Sequence, residues 1–397
     1  MTAYGWMPAK RLLRPISASS GLIKGQVALE EGPDLFPGFS ASGQDVWLPA
    51  SAARATGPGI VLSAVGARCG KAFLADFERW GAVANTASFG VASGFDKNFV
   101  HYILNHEDFW IRGGAAQPYV MVSESLKQQV WAPELAHQRA IADFLDRETA
   151  QIDAFIAKNE ELIALLTERR AVAVNHLVWA GVSSDAIPSA AGDRLPDAPA
   201  HWLRVRNKQL YRERTGVSLS GAEELLTVSH ITGVTTRAEK NVTMFEAEST
   251  VGYKLVSPGD LVINTMWAWM GALGVSALDG IASPSYGVYS PLRNLPYEPR
   301  YFDHLYRSAP YVATMTVHSR GVTESRLRLY PDAFLSLPTV VPPLEEQREI
   351  VDRITTQTTH LDAMTSAARR AIDLARERRA ALISAAVTGK IDMGVSA

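Results

Sequence analysis

The sequence is poor in the residues that crosslink secreted proteins. Its 397 residues include one cysteine, Cys69, which excludes an intramolecular disulfide and any paired-cysteine metal or redox site. The apolar runs fall short of the roughly 18 to 20 residues that cross a bilayer, and MTAYGWMPAKRLLRPIS at the N-terminus lacks the apolar core of a secretory signal. We therefore expect a cytoplasmic protein without a membrane span, in which Cys69 is a small buried side chain.

An excess of charge of one sign is also missing. The chain has 39 Lys and Arg against 41 Asp and Glu, a formal net charge of −2. Domains that bind nucleic acid usually carry a basic excess. Composition alone does not indicate DNA binding, so any contact with DNA must come from local patches or from a partner subunit.

The chain does contain one long segment twice. PELAHQRAI, which begins at Pro133, returns as PPLEEQREI from Pro342, and an offset of 209 residues places Gln138 on Gln347. The match continues without a gap to the segment ERRA, which occupies 168–171 in the first copy and 377–380 in the second. This internal repeat organises the whole chain.

Each copy of the repeat is predicted to be one long helix. Each begins with proline, which the first turn of a helix tolerates, and continues with helix-forming residues and no internal Pro or Gly. Apolar residues recur in steps of three and four, a pattern typical of a coiled-coil seam. We assign this seam to Ile141, Leu145, Ile152, Phe155, Leu162 and Leu166 in the first copy, and to Ile350, Ile354, Leu361, Met364, Ala371 and Ala375 in the second.

Along the chain, a globular domain is followed by a long helix, and this order occurs twice. We place a first mixed domain at 1–131, a long helix at 132–180, a linker at 181–200, a second mixed domain at 201–340 and a second long helix at 341–392. The expected fold class is α+β, with two similar mixed α/β domains joined by two helices that form an antiparallel intramolecular coiled coil with pseudo-twofold symmetry. The paired helices would hold the two domains at a fixed distance, which suits a ligand that presents similar sites at a regular spacing. Duplex DNA, with about 34 Å per turn, is the obvious candidate.

The motifs of catalysis are missing. GARCGKA at 66–72 resembles a phosphate-binding loop, but its glycines are one residue too close and Ala72 stands where Ser or Thr must hold magnesium. VPPL at 341–344 lacks the Asn and the aromatic residue of an amino-methylation motif, and His137 and His176 lack the neighbours that a metal site needs. We predict a non-catalytic protein that holds no metal and no cofactor of its own.

Taken together, these segments resemble the specificity subunit of type I restriction-modification enzymes. PPLEEQREI with LARERRAALISAAVTGKID is similar to the family's C-terminal repeat, and the segment from PELAHQRAI to ERRA is similar to its central repeat. GDLVINTMWAWMGALGVS with GIASPSYGVYSPL, and GAAQPYV with LKQQVWAP, are similar to parts of its two target-recognition domains. One departure is that the first helix ends in VWAG at 178–181 where the second ends in VTGK at 387–390.

The resemblance implies a DNA reader. In this family each recognition domain reads one half of a split target, and the paired helices set the gap between the halves. The subunit recruits two methylation subunits, which bind S-adenosylmethionine and methylate adenine, and restriction subunits join that core. A non-catalytic coiled-coil adaptor that bridges two protein partners stays open as an alternative, because it explains the architecture equally well.

Candidate site residues follow from residue chemistry within this frame. Base reading needs Arg or Lys on guanine and Asn or Gln on adenine. The candidate DNA-binding residues are Arg68, Lys71, Arg112 and Gln117 in the first domain and Arg237, Lys240, Trp267, Arg320 and Arg326 in the second. The cluster at 267–270, which includes Trp267, is more typical of side chains that pack in a core or support the edge of a sheet than of a side chain that inserts between bases.

The repeated residues on the helices are the candidates for docking partners. They are Gln138, Arg139, Arg169, Arg170, Gln347, Arg348, Arg378 and Arg379. The repeated Glu-Arg-Arg segment has two readings that the sequence does not separate. It is either a charged flank near a helix C-terminus, stabilised by the helix dipole, or a surface that faces a partner or phosphate.

Overall fold

The computed structural model describes residues 5–182, 186–187, 195–239, 249–292, 294–321 and 327–391. The chain forms two compact units. Unit 1 comprises Met1–Glu160 and Ala368–Ala397, and unit 2 comprises Glu161–Ala367. The two long helices, Leu135–Ala180 and Leu344–Val387, each contribute to both units, so unit 1 combines two separate segments of the chain whereas unit 2 is one continuous segment.

Unit 1 is a strand-rich domain with helices on its surface. Its strands are β1 (Gly5–Pro8), β2 (Leu13–Pro15), β3 (Leu35–Ser40), β4 (Gly43–Pro49), β5 (Ala55–Thr56), β6 (Gly59–Ser63), β7 (Ala72–Ala75), β8 (Arg79–Ala82), β9 (Thr86–Val91), β10 (Arg112–Gly113), β11 (Tyr119–Val120) and β12 (Gln129–Ala132). Its helices are α1 (Lys97–Leu104), α2 (Val122–Ser125) and the first part of α3 (Leu135–Ala180), with 3-10 turns at Ala9–Arg11 and Lys24–Gln26.

Two four-stranded sheets, ordered β2-β9-β6-β7 and β4-β3-β8-β5, form the body of unit 1. The carboxylate of Asp96 caps α1 by accepting hydrogen bonds from the backbone N–H groups of Asn98 and Phe99. The buried side of α1, which includes Phe99, packs in one apolar cluster with Leu145 of α3 and Ile383 of the C-terminal helix. Parts of both long helices are therefore built into this domain.

Unit 2 repeats this plan. Its strands are β13 (Ala186–Ile187), β14 (Ala198–Pro199), β15 (Leu203–Arg206), β16 (Tyr211–Glu213), β17 (Leu226–Ser229), β18 (Gly233–Thr236), β19 (Lys254–Val256), β20 (Leu261–Asn264), β21 (Leu273–Val275), β22 (Gly280–Ala282), β23 (Tyr286–Pro291) and β24 (Pro338–Val341). Its helices are α4 (Asn207–Leu210), α5 (Pro299–Arg307), α6 (Ala309–His318), α7 (Pro331–Ser336) and the first part of α8 (Leu344–Val387), with 3-10 turns at Arg237–Glu239 and Ala268–Met270.

The central sheet of unit 2 has the order β16-β23-β20-β21, the same antiparallel arrangement that β2-β9-β6-β7 makes in unit 1. Its core is more aromatic. Tyr211, Tyr301, Phe302, Tyr306 and Phe334 are fully buried in one cluster. Large aromatic side chains bury much apolar area, so this cluster supplies a substantial part of the stability of unit 2.

The long helices pair antiparallel within each unit. In unit 1, Asp153 lies 3.0 Å from Arg379 and Glu160 lies 3.1 Å from Arg376. Residue numbers therefore rise along α3 in the direction in which they fall along α8, which makes the two helices antiparallel. In unit 2, Arg170 lies 3.0 Å from Asp362. The two repeated arginines, Arg170 and Arg379, thus form ion pairs between the helices, although both were predicted to dock partners.

The buried seam differs in part from the predicted one. Thr149 and its repeat counterpart Thr358 are buried, and the hydroxyl of Thr149 donates to the carbonyl oxygen of Leu145 at 2.7 Å, which satisfies it inside its own helix. Because threonine was not counted as apolar, the predicted stripe omits Thr149 and Thr358. Among the seam residues of the prediction, the exposed ones are Phe155 (47%), Leu162 (38%) and Met364 (38%), whereas Leu166 and Leu361 are buried as predicted.

The repeated glutamines join each long helix to its domain. Gln138 is fully buried; its side-chain oxygen accepts from the Asp96 backbone N–H at 2.8 Å and its amide donates to the Pro133 carbonyl at 2.7 Å. Gln347 does the same in unit 2, accepting from the backbone N–H of Glu298 at 2.7 Å and donating to Pro342 at 2.8 Å. Both side chains are buried and hydrogen-bonded within their own unit, so neither is exposed to the docking partner that was predicted for it.

The ends of the two long helices are alike despite their different sequences. Gly181 follows α3 with φ +70° and Gly389 follows α8 with φ +74°, a left-handed conformation that favours glycine. A Cβ on Gly181 would lie 2.9 Å from the ring of Trp202, and one on Gly389 would lie 3.0 Å from the ring of Trp131. In each unit an indole therefore packs directly on the backbone where the helix ends.

Candidate nucleic-acid interface

A loop between β6 and β7 projects from the central sheet of unit 1. The backbone N–H of Cys69 donates to Gly66 at 2.9 Å, and the N–H of Ser63 donates to the carbonyl of Lys71 at 2.8 Å. Gly70 has φ +92°, which lets the loop turn back into β7. These bonds give the loop a defined shape, with the side chains of Arg68 and Lys71 exposed.

The β10-β11 hairpin lies beside this loop. The backbone N–H of Gly66 donates to the carbonyl of Pro118 at 2.8 Å, and the N–H of Val120 donates to Ala64 at 2.9 Å. The guanidinium of Arg112 reaches back over the loop, so that a Cβ on Gly70 would lie 3.0 Å from Arg112 Nη2. We call the segments 64–71 and 112–120 the unit 1 tip.

The structure brings the four predicted residues of unit 1 together. Arg68, Lys71, Arg112 and Gln117 all belong to the unit 1 tip and are all exposed. The two segments of the tip contain these three cations and no Asp or Glu. A local positive patch of this kind attracts phosphate and offers guanidinium groups to guanine, which an almost neutral chain needs if it is to contact DNA.

Unit 2 carries a loop of the same backbone design between β20 and β21. The N–H of Met270 donates to the carbonyl of Trp267 at 3.0 Å, and the N–H of Asn264 donates to Ala272 at 2.9 Å. Gly271, with φ +79°, stands where unit 1 has Gly70. The N–H of Leu329 donates to Thr265 at 3.0 Å, in the way that Val120 donates to Ala64. We call 265–272 with 320–321 and 327–329 the unit 2 tip.

Two predicted residues of unit 2 belong to this tip. Trp267 is half exposed, and Arg320 is exposed and forms an ion pair of 3.5 Å with Asp332. Arg237 lies elsewhere, in the 3-10 turn after β18. Lys240 and Arg326 lie outside the described residues.

Sequence reasoning missed two exposed residues, Arg328 in the unit 2 tip and Asn85 beside the unit 1 tip. Arg328 is exposed in the unit 2 tip, and its Nη2 lies 3.6 Å from the Sδ of Met266. In unit 1, Asn85 is exposed with φ +68°, and its carbonyl accepts from the N–H of Ala64 at 2.9 Å. Arg328 belongs to an arginine-rich segment that includes the candidates Arg320 and Arg326, and this composition could have identified it. The position of Asn85 beside the loop follows only from the pairing of β6 with β9.

A half-buried histidine, His101, contacts the end of the unit 1 loop. The Nε2 of His101 lies 3.1 Å from the carbonyl of Ala72, and the amide of Asn105 donates to the same oxygen at 3.0 Å. Burial lowers the pKa of His101, and the nearby charges of Lys71 and Arg379 act in the same direction. The contacts of His101 and Asn105 thus fix the carbonyl of Ala72, the residue at which the loop rejoins β7.

The remaining docking candidates lie on the surface of the helices. Arg139, Arg169, Arg348 and Arg378 are exposed. Arg378 borders a groove on unit 1 that Ile152, Phe155, Ala371, Leu374 and Ala375 line with apolar atoms and Glu148 and Gln151 complete. Leu374 is 65% exposed there. On unit 2 the repeat counterparts of Phe155 and Leu374 are Met364 and Leu165, and both are exposed as well.

In the part of the chain that the structure describes, no three His, Cys, Asp or Glu side chains are grouped so that they could hold a metal ion. Among the same residues, no helix is both long and apolar enough to cross a bilayer.

Sequence comparison and structure comparison give different results. No model of a known protein family and no curated protein matches the chain. A chain from a solved structure on the complex assembly and conformational transition of the type I R-M (restriction-modification) system superposes with a TM-score of 0.65 at 13% identity, over 97% of this chain and 98% of that one.

Two further solved structures match over nearly their full length. They are the HsdS subunit from Thermoanaerobacter tengcongensis, at 15% identity and a TM-score of 0.48 over 97% of both chains, and the type I restriction-modification S subunit from M. genitalium, at 12% identity and a TM-score of 0.35 over 98% of this chain and 97% of that one. The assignment of the fold rests on the first comparison, which shows that the chain has a fold found in a type I restriction-modification complex. The predicted α+β class, with two strand-rich domains and two long packed helices, is confirmed.

Proposed function

We propose that this chain is the specificity subunit of a type I restriction-modification complex. It acts in the cytoplasm as a non-catalytic reader of double-stranded DNA, and each unit reads one half of a split target. The near-complete overlap with a chain of such a complex supports this proposal.

The observation that carries the proposal is the duplicated tip. Each unit presents a loop with the same backbone hydrogen bonds and the same positive-φ glycine, but the exposed side chains differ. A constant backbone with variable side chains is what a pair of readers for two different half-sites requires, since the side chains choose the bases. A purely structural loop would not need exposed Arg68 in one unit and exposed Trp267 in the other.

The exposed apolar stripes on the helices serve the partners. Soluble proteins rarely expose contiguous apolar surface without a binding role. The groove at Phe155 and Leu374, with Arg378 at its border, and the equivalent residues of unit 2 next to Arg169, offer the same surface twice. Two methylation subunits dock there. They bind S-adenosylmethionine and methylate adenine, and restriction subunits complete the complex.

Methylome sequencing of cells that express this chain with its cognate methylation subunit tests the proposal. We expect one split motif, with methyladenine in both halves. The double variant Arg68→Ala/Lys71→Ala should relax one half and leave the other half intact. If both proteins purify as a complex and the DNA carries no motif, the DNA-reading function is wrong and the chain is a coiled-coil adaptor between two protein partners.

A further inference from the structure

The two tips use one loop backbone for two kinds of chemistry. Superposing the loops by their hydrogen bonds and by Gly70 on Gly271 places Gly66 on Trp267, Arg68 on Trp269 and Lys71 on Ala272. The loop of unit 1 therefore carries two cations, and the loop of unit 2 carries two indoles and no charge. The loop of unit 2 therefore carries aromatic side chains at the positions where the loop of unit 1 carries positive charge or glycine.

One of the two indoles in unit 2 holds the loop. The Nε1 of Trp269 donates to the carbonyl of Met266 at 3.1 Å, and the backbone carbonyl of Trp269 accepts from the hydroxyl of Thr316 on α6 at 3.4 Å. Trp269 is partly buried among the residues that line a cavity next to α6. It fixes the loop on the helix and is not free to meet a ligand.

The other indole is presented to solvent. Trp267 is 50% exposed, although its backbone is fixed by hydrogen bonds to Asn264, Met270 and Ala272. At the matching position of unit 1, a Cβ on Gly66 would meet nothing within 4 Å, so this point of the loop faces open space in that unit too. Trp267 therefore holds a large apolar side chain partly in solvent on a backbone of fixed position, and its indole is available for apolar contact with a ligand.

The surroundings of Trp267 favour the edge of a base pair as that ligand. Arg328 and Arg320 belong to the same tip, and Arg328 lies against Met266, the residue before Trp267. Guanidinium groups beside an apolar side chain can pair with guanine or phosphate while the apolar group meets the one apolar feature of the major groove, the 5-methyl group of thymine.

We propose that Trp267 reads a thymine methyl group in the half-site recognised by unit 2. This inference rests on the proposed function and adds the chemistry by which one half is chosen. Trp267 is a specificity-determining residue that acts by apolar contact, whereas the unit 1 tip acts through its cations.

The test uses the complex of the full chain with its methylation subunit and a duplex that contains the motif found by methylome sequencing. Each thymine is replaced in turn by uracil, which lacks only the methyl group. One replacement, in the half-site of unit 2, should weaken binding about threefold to fivefold, the factor expected from losing one buried methyl group. The complex with Trp267→Ala should bind the intact motif more weakly by at least that factor. The same replacement of thymine by uracil should leave the affinity of this variant unchanged.

Trp6→Ala is the matched control, because Trp6 is an exposed tryptophan, 63% accessible, that lies on β1 outside both tips. It should keep the binding and the uracil response of the unmodified complex. If Trp267→Ala and the unmodified chain respond equally to every uracil, methyl reading is wrong. Loss of binding in Trp267→Ala without any uracil effect in the unmodified chain also overturns it and assigns Trp267 to stacking. A missing motif, in contrast, contradicts the proposed function itself.

Discussion

Arg170 and Asp362 form an ion pair between the two long helices of unit 2, with 3.0 Å between Nε and Oδ1. The residues that the repeat equates with them, Arg379 and Asp153, form an ion pair of the same length in unit 1. Conservation of both partners between the two copies thus has a local reason: each copy supplies the cation of one pair and the anion of the other.

These ion pairs should contribute little to stability. All four side chains are about half exposed, and exposed pairs are typically worth less than about 1 kcal/mol. A double-mutant cycle with Arg170→Ala and Asp362→Ala, followed by urea unfolding, should give a coupling below that value that shrinks further in high salt. A coupling well above about 2 kcal/mol would show that the pair is more strongly desolvated than its exposure indicates.

The buried glutamines should matter more. Gln138→Leu removes both hydrogen bonds of the side chain and leaves the Asp96 N–H and the Pro133 carbonyl without this partner. We expect the free energy of unfolding to fall by about 2 to 6 kcal/mol, since each of the two unpaired buried groups costs about 1 to 3 kcal/mol. Arg139→Ala, at the exposed neighbour, should change it by less than about 0.5 kcal/mol. Equal effects of the two variants would remove the role assigned to Gln138.

Leu166 and Leu162 provide a matched pair on one helix. Leu166 is buried and Leu162 is 38% exposed, so Leu166→Asp should destabilise the protein by more than about 3 kcal/mol and Leu162→Asp by less than about 1 kcal/mol. Thermal unfolding separates the two variants. In the methylome assay, Leu166→Asp should abolish reading of the split site. A normal motif with unchanged spacing in that variant would contradict the spacer role of the helices.

Stability should fall as the pH drops below neutrality. Burial lowers the pKa of His101 in the folded protein below its ordinary value near 6.5, and Asp146 opposes this effect only in part. Protons then bind the unfolded chain more readily, so the contribution is fully present above about pH 6.5 and is lost as the pH falls toward the folded pKa. Urea unfolding between pH 7.5 and 5 measures the slope. His101→Gln should flatten it, and His360→Gln, at an exposed helix position, should not.

Gly70→Ala should weaken DNA binding more than it weakens the fold. The new Cβ would lie 3.0 Å from Arg112 Nη2, so the flexible guanidinium must shift by a few tenths of an ångström from its place over the loop. Gly57→Ala is the control, because Gly57 also has a positive φ, +69°, but its Cβ would meet nothing within 4 Å. Both variants should lose about 1 kcal/mol through backbone strain. Only Gly70→Ala should lose affinity for the motif, by several-fold in a titration of the complex.

Part of the candidate site followed from residue types alone. Arg68, Lys71, Arg112 and Gln117 are polar residues in glycine-rich segments, where exposed side chains are expected, and the fold places them in one tip. Trp267 was recognised as a candidate but was read as core support. Trp267 is half exposed, whereas Trp269, two residues later, is partly buried and donates to Met266, and no sequence pattern distinguishes the two indoles.

The sequence by itself determined the two long helices, their relation as repeats and the alternation of helices with strand-rich domains, because helix propensity, proline placement and apolar periodicity are local properties. Only the tertiary structure decided which apolar stripe is buried. Ile152 and Phe155 both fit a seam of mixed three- and four-residue steps, and the buried position of Thr149 selects the stripe that excludes Phe155. Packing also decided that Gln138 is buried and bonds its helix to the domain, since a hydrogen bond to a residue 42 positions away cannot be recognised from the neighbouring sequence.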